Sequence, residues 1–215
     1  MEVDADARRL IPWRIKSGFF TADEIIEIVA DYLINSHRDK TLSQAQDAIR
    51  PIVELEWASQ LERQKSWPDE PTISEKLSKA FSSLERIHRI LARMNFACCQ
   101  RCGVSELSGE SDEDTRGYVF FHEQDTEIMA GGGDVLLSYG SFTQSEERTR
   151  AVGDVIAKSL RRAGLSVEWE GDTKKRMLVH CDEWRRRIRE DGEVDSDFSD
   201  ESDTAEPVRT SDVEE

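Results

Sequence analysis

The residues able to do chemistry gather in one stretch, from Phe96 to Phe142. It holds three of the four cysteines, in Cys98-Cys99-Gln100-Arg101-Cys102-Gly103, and one of the four histidines, in His122-Glu123-Gln124-Asp125-Thr126-Glu127. Cys99 and Cys102 stand three positions apart, with a glycine after them. A tight turn of that spacing points two thiolates at one ion, which is half of a zinc site. The sequence has no second Cys-x-x-Cys pair. The substitute is His122 with Asp125, again three apart. The candidate metal ligands are therefore Cys99, Cys102, His122 and Asp125. Cys98 could replace either sulfur, and zinc is the ion such a set suits.

Each of these residues also has a plainer role open to it. Free cysteine packs as a small hydrophobe, and Cys98 and Cys99 on alternate faces of a strand would do so. A Cys-x-x-Cys pair serves thiol redox chemistry when a helix N-terminus follows it and lowers a thiol pKa. Val104-Ser105-Glu106-Leu107 offers only a weak helix start. His122 could work as a general acid or base with Asp125 or Glu127, which is the basis of a hydrolase-like alternative. It could equally end a strand, with Asp125 or Thr126 capping the turn beyond. No motif ties a nucleophile to the histidine, so no catalytic residue is assigned. Gly131-Gly132-Gly133 matches neither a phosphate loop nor a dinucleotide fingerprint and reads as a turn. His88 lies on an apolar helical stripe and His37 at a helix end. His180 alternates with Cys181, so the two should face opposite ways.

The elements that must position these groups fall into two halves. Residues 20–94 read as helical. Thr21 with Glu24, Thr41 with Gln44 and Thr72 with Glu75 are capping boxes, and the last opens a helix with Leu77, Ala80, Phe81, Leu84, Ile87, His88, Leu91 and Met94 on one face. Pro51 should kink or divide the second helix. Residues 95–189 read as mixed: strands at 96–99, 118–122 and 135–139, a helix capped by Thr143 and Glu146 and ended by Gly164, strands around 167–169 and 177–181, then a helical turn through Trp184 and Ile188. The sum is an α+β fold, N-terminal helices followed by a β-β-β-α-β-β core of about five strands. With its flanking helices that order resembles small peptide-binding secretion chaperones, a likeness of element order alone. Residues 1–19 form an N-terminal extension and 20–189 a single domain.

Charge bounds the partners. Residues 190–215 carry −11 of the formal −16, which leaves −5 for the rest. A body so mildly acidic lacks the basic surface that nucleic-acid binding needs. The serine-rich acidic tail from 190 onward should be disordered. The basic runs Lys174-Lys175-Arg176 and Arg185-Arg186-Arg187 read as solvated surface. No apolar run approaches the roughly 20 residues that cross a bilayer. The expected setting is cytoplasmic, where cysteines serve as thiols or metal ligands rather than disulfides.

Several motifs agree in order with a known family. Cys98-Cys99-Gln100-x-Cys102-Gly103, Gly117-Tyr-Val-Phe-Phe-His122-x-Gln124-Asp125-Thr126-Glu127, Leu137-x-Tyr139-Gly140, Gly164-Leu-x-Val-x-Trp169-x-Gly171 and Trp184-Arg-x-Arg187 together resemble an uncharacterised microbial domain-of-unknown-function family, over about residues 20 to 189. The resemblance implies membership and brings no reaction, cofactor or partner with it. The expected function is a binding or interaction module with a protein or peptide partner, stabilised by a metal at the Cys/His cluster. A hydrolase-like or thiol-dependent enzyme using the same cluster is the alternative.

Overall fold

Helix caps set the N-terminal half. The computed structural model describes residues 2–36, 40–143 and 145–194; His37 and the tail from 195 onward lie outside them. Asp4 accepts from the Ala7 N–H at 2.8 Å and opens α1, Ala5–Ser17, which Gly18 ends at φ 71°. The Thr21 N–H donates to Glu24 Oε2 at 2.8 Å, and the Glu24 N–H returns a bond to Thr21 Oγ1 at 3.2 Å. That capping box opens α2, Ala22–Ser36. Thr41 and Gln44 open α3, Leu42–Gln64, and Thr72 and Glu75 open α4, Ile73–His88.

The structure bears on three expectations for this half. Residues 1–19, read as an extension, contain α1, whose Ala7, Ile11 and Ile15 are fully buried against α2 and α3. α3 is not divided at Pro51: Ile49 and Val53 on either side are buried on one face. That burial offsets a cost of about 3 kcal/mol for an interior proline. α4 stops at His88, since Arg89 turns left-handed at φ 55°. Leu91 and Met94 therefore leave the helical stripe, and Ile87 on that stripe is exposed.

After α4 the chain forms β1, Ile90–Arg93, then α5, Gln100–Glu110, and β2, Gly117–Phe120. It continues through α6, Glu123–Ala130, β3, Val135–Gly140, α7, Glu146–Arg162, β4, Val167–Glu168, and β5, Met177–Val179. The strands form one sheet in the order β1-β2-β3-β5-β4. β1 and β2 are parallel, with Ile90 opposite Gly117 and Arg93 opposite Phe120; the other pairs are antiparallel. The fold is α+β with five strands, as expected, but the first strand lies at 90–93 instead of 96–99, and helices occupy 100–110 and 123–130. The physical reason is the parallel pair, which needs a crossover between its strands. This alternation also removes the chaperone-like order. α7 starts at Ser145, which accepts from the Arg148 N–H at 3.3 Å, two residues after the cap expected at Thr143.

The C-terminal stretch is not helical. Trp184 Nε1 donates to Ser17 O at 2.8 Å, Arg186 Nε to Gly18 O at 2.9 Å, and the Ile188 N–H to Gln64 Oε1 at 3.1 Å. These partners lie across the fold, so tertiary bonds replace the helical ones. Residues 190–194, read as tail, belong to the fold: Val194 bridges Ile188, and Gly192 O accepts from the Ala22 N–H at 2.9 Å.

Two buried clusters result. In one, α4 and α7 pack on the sheet through residues such as Phe81, Leu84, Val119, Leu137, Ile156 and Leu160; the other fills the space between α1, α2 and α3. Phe19 packs against both. Its ring lies 5.8 Å from those of Phe121 and Trp184, so this aromatic trio joins the halves. Replacing Phe121, which is fully buried, by Ala should lower stability by about 3–5 kcal/mol in chemical denaturation. A cost below about 1 kcal/mol would show that the halves do not depend on this contact.

Candidate functional site

Parallel pairing sends β1 and β2 out of the sheet at the same end. The chain after β1 leads into Cys98 and Cys99; the chain after β2 leads into His122. Two backbone bonds tie these exits together, Phe96 N–H to Phe121 O at 2.9 Å and Glu123 N–H to Ala97 O at 3.2 Å. Thr126 Oγ1 adds a bond to Asn95 Oδ1 at 2.8 Å. Asn95 and Ala97 both have left-handed backbones, at φ 49° and 60°. The N-termini of α5 and α6 therefore stand side by side, and the positive ends of both helices face this region.

The thiols gather at the start of α5. Cys99 is its N-cap residue and Cys102 lies in its first turn. Cys102 Sγ is 3.5 Å from Cys99 Sγ and 3.6 Å from Cys98 Sγ. Among the described residues, these are the three metal-ligating side chains whose donor atoms all lie within 4.8 Å of one another. The backbone amide and thiol of Cys102 favour the charged form of Cys99 and lower its pKa. The same proximity pushes Cys102 up to about 11. The next residue must be glycine, because a Cβ at Gly103 would lie 2.4 Å from Phe120 Cε2. Cys181 is remote from this chemistry, buried and pushed up to about 11 by that burial.

His122 and Asp125 form a second group at the N-terminus of α6. Both are buried, at 6% and 3% exposure. The Asp125 carboxylate accepts from the His122 N–H at 3.2 Å and lies 3.2 Å from His122 Nε2. Arg176 then grips it with both ends of its fork, at 3.0 and 2.5 Å, and also donates to Leu136 O. Burial holds the His122 pKa below its usual value; Arg176 adds to that effect and Asp125 opposes it. The structure thus pairs Cys99 with Cys102 and adds Cys98, and pairs His122 with Asp125 and adds Arg176. Sequence reasoning does not find Arg176, which reads as one of three solvated cations. Nothing local marks it as the one that turns inward, because its partner is 51 positions away.

Two further features lie outside these two groups. His180 lies between two carboxylates, with Nδ1 3.1 Å from Asp134 and Nε2 2.9 Å from Glu168, and these raise its pKa. Asp134 also accepts from the Cys181 N–H at 2.8 Å. Elsewhere, a groove of about 430 Å³ runs between α2, α3 and residues 190–193. Its lining includes apolar Ile26, Val53 and Trp57 and acidic Asp23, Glu54, Glu190, Asp191 and Glu193, with Arg50 paired to Asp23 at 3.3 Å. The C-terminal arginines are spent internally: Arg186 lies over Phe19, Arg187 over Trp67, and Arg185 and Arg189 pair with Glu183 and Asp191.

Fold and site together define an α+β domain with a thiol cluster where its two parallel strands end. The sequence profile of the family described as Domain of unknown function (DUF6891) matches residues 1–188, and the chain belongs to that family. The match takes in α1, in keeping with the burial of that helix. No curated protein and no solved structure matches the chain. Among the described residues, no helix is long and apolar enough to cross a membrane.

The thiols should alkylate in a fixed order. In reduced, metal-free protein near neutral pH, iodoacetamide labelling read by peptide mass spectrometry should modify Cys99 before Cys102, with Cys181 labelled only on unfolding. Equal rates for Cys99 and Cys102 would contradict the asymmetry. His180 sets a pH dependence of known sign. Its folded pKa is raised, so its stabilising contribution is complete below about pH 6.5, the ordinary imidazole value, and is lost as pH rises through the folded value. The melting-temperature gap between wild type and His180→Gln should therefore close on going from acid to alkaline pH. A gap that widens would reverse the assignment.

Proposed function

We propose that this chain is a binding module organised around a soft-metal centre, with zinc as its resident ion. The observation that carries this reading is the convergence of the Cys98, Cys99 and Cys102 sulfurs at the N-terminus of α5. Thiolates select zinc and similar soft ions, and the helix end favours their negative charge. His122 and Asp125, the rest of the ligand set expected from sequence, stand at the same end of the sheet. A cytoplasmic, reducing setting keeps the thiols available. The partner is a protein or peptide, and the groove, lined by apolar side chains and more carboxylates than cations, suits a basic segment.

Elemental analysis of the untagged, purified chain should find close to one zinc per molecule. Cys102→Ser should lose that zinc and melt at a lower temperature, since structural zinc contributes directly to folding. A wild-type chain that neither holds zinc nor takes it up at micromolar concentration would end this reading.

One observation favours a second reading, thiol–disulfide exchange. The helix that such chemistry needs after a Cys-x-x-Cys pair is present as α5, with Cys99 at its N-cap. The Cys99 thiolate would attack a substrate disulfide and expel one substrate thiolate. Cys102 would then attack Cys99 Sγ, close a Cys99–Cys102 disulfide and release the second substrate thiol. Reduction of a model disulfide by the metal-free chain, abolished in Cys99→Ser, would support it.

A further inference from the structure

The His122 imidazole has one nitrogen satisfied and one not. Nε2 faces the Asp125 carboxylate at 3.2 Å. A carboxylate can only accept a hydrogen bond, so Nε2 carries the proton. In the neutral ring, Nδ1 is then left with a lone pair. Nδ1 is buried and has no hydrogen-bond partner. A buried acceptor left unsatisfied keeps its desolvation cost, so a lone pair held there calls for an electrophile to meet it.

The thiol cluster has the complementary need. Structural zinc takes four ligands in a closed tetrahedron, and three sulfurs are gathered. The backbone brings the fourth candidate alongside: residues 121 and 123, on either side of His122, are bonded to Phe96 and Ala97, which lead directly into Cys98. A histidine ligand also needs its other ring nitrogen donated to a carboxylate or carbonyl, which fixes its tautomer and direction. Asp125 supplies that carboxylate, and Arg176 holds it in place through both oxygens.

We propose that His122, through Nδ1, is the fourth ligand of a closed Cys98-Cys99-Cys102-His122 zinc site, with Asp125 and Arg176 as its positioning pair. The proposal rests on the metal reading above and deepens it. Asp125 is thereby removed from the ligand set, because Arg176 and His122 already engage its oxygens. Nδ1 stands outside the 4.8 Å group of sulfurs. Loading must therefore draw the 96–99 segment toward the ring, and the left-handed Asn95 and Ala97 lie where that shift would be absorbed. A site closed in this way keeps no position open for substrate, which makes the metal structural.

The test is X-ray absorption at the zinc edge on the full chain, with zinc-affinity measurements by chelator competition. Wild type should show three sulfurs at about 2.3 Å and one nitrogen at about 2.0–2.1 Å, with the outer-shell scattering of an imidazole. His122→Ala should lose the imidazole signal. Asp125→Asn should keep it and bind zinc about 10–100-fold more weakly. Should His122→Ala fail to fold, the wild-type spectrum decides alone. Zinc on three sulfurs with water and no imidazole would overturn this proposal and leave the metal centre standing. No zinc uptake by wild type would overturn both.

Discussion

The parallel pairing of β1 with β2 is the constraint on which the rest of the structure depends. Parallel neighbours cannot be joined by a tight turn, so the chain must leave the sheet, cross and return. That crossing is where α5 forms. It also forces both strands to end on the same side, and each exit feeds a helix N-terminus. Thiols from one exit and an imidazole from the other therefore stand at the same end of the sheet, although Cys98 and His122 are 24 positions apart. An antiparallel pairing of the same two strands would send these groups to opposite ends of the sheet.

A buried charge holds the second half of the site. Burying the Asp125 carboxylate carries a desolvation cost that an opposite charge must offset. Arg176 supplies the opposite charge from the approach to β5, and its bond to Leu136 O ties it to β3. Asp125 in turn sets the tautomer of His122. The orientation of one imidazole is thus decided by sheet closure between β3 and β5, well away from the ring itself. The aromatic contact of Phe19 with Phe121 and Trp184 extends that dependence to the helical half, since Phe121 directly precedes His122.

Local chemistry is legible wherever the governing interaction spans four residues or fewer. The boxes at Thr21, Thr41 and Thr72 can be read because cap and partner lie three apart. The Cys99–Cys102 spacing can be read for the same reason. Ile90–Arg93 reads wrongly as helix because Leu91 and Met94 continue the spacing of the α4 stripe; the pairing that makes it a strand lies 27 positions away, at Gly117–Phe120. The start of α5 is hidden because Cys99 gives no side-chain cap to announce it.

By itself, then, the sequence determined the α+β class, the number of strands, the helix starts after Thr21, Thr41 and Thr72 and the two sets of chemically able residues. It also determined where the acidic tail draws its charge. Only the tertiary structure decided that Cys98 joins the other two thiols, that Asp125 belongs to Arg176, that α1 is core and that residues 190–194 are part of the fold. The physical reason is range. Caps, turns and periodicity are energies of neighbouring residues, whereas strand pairing and the burial of charge are energies between segments that the chain order leaves far apart.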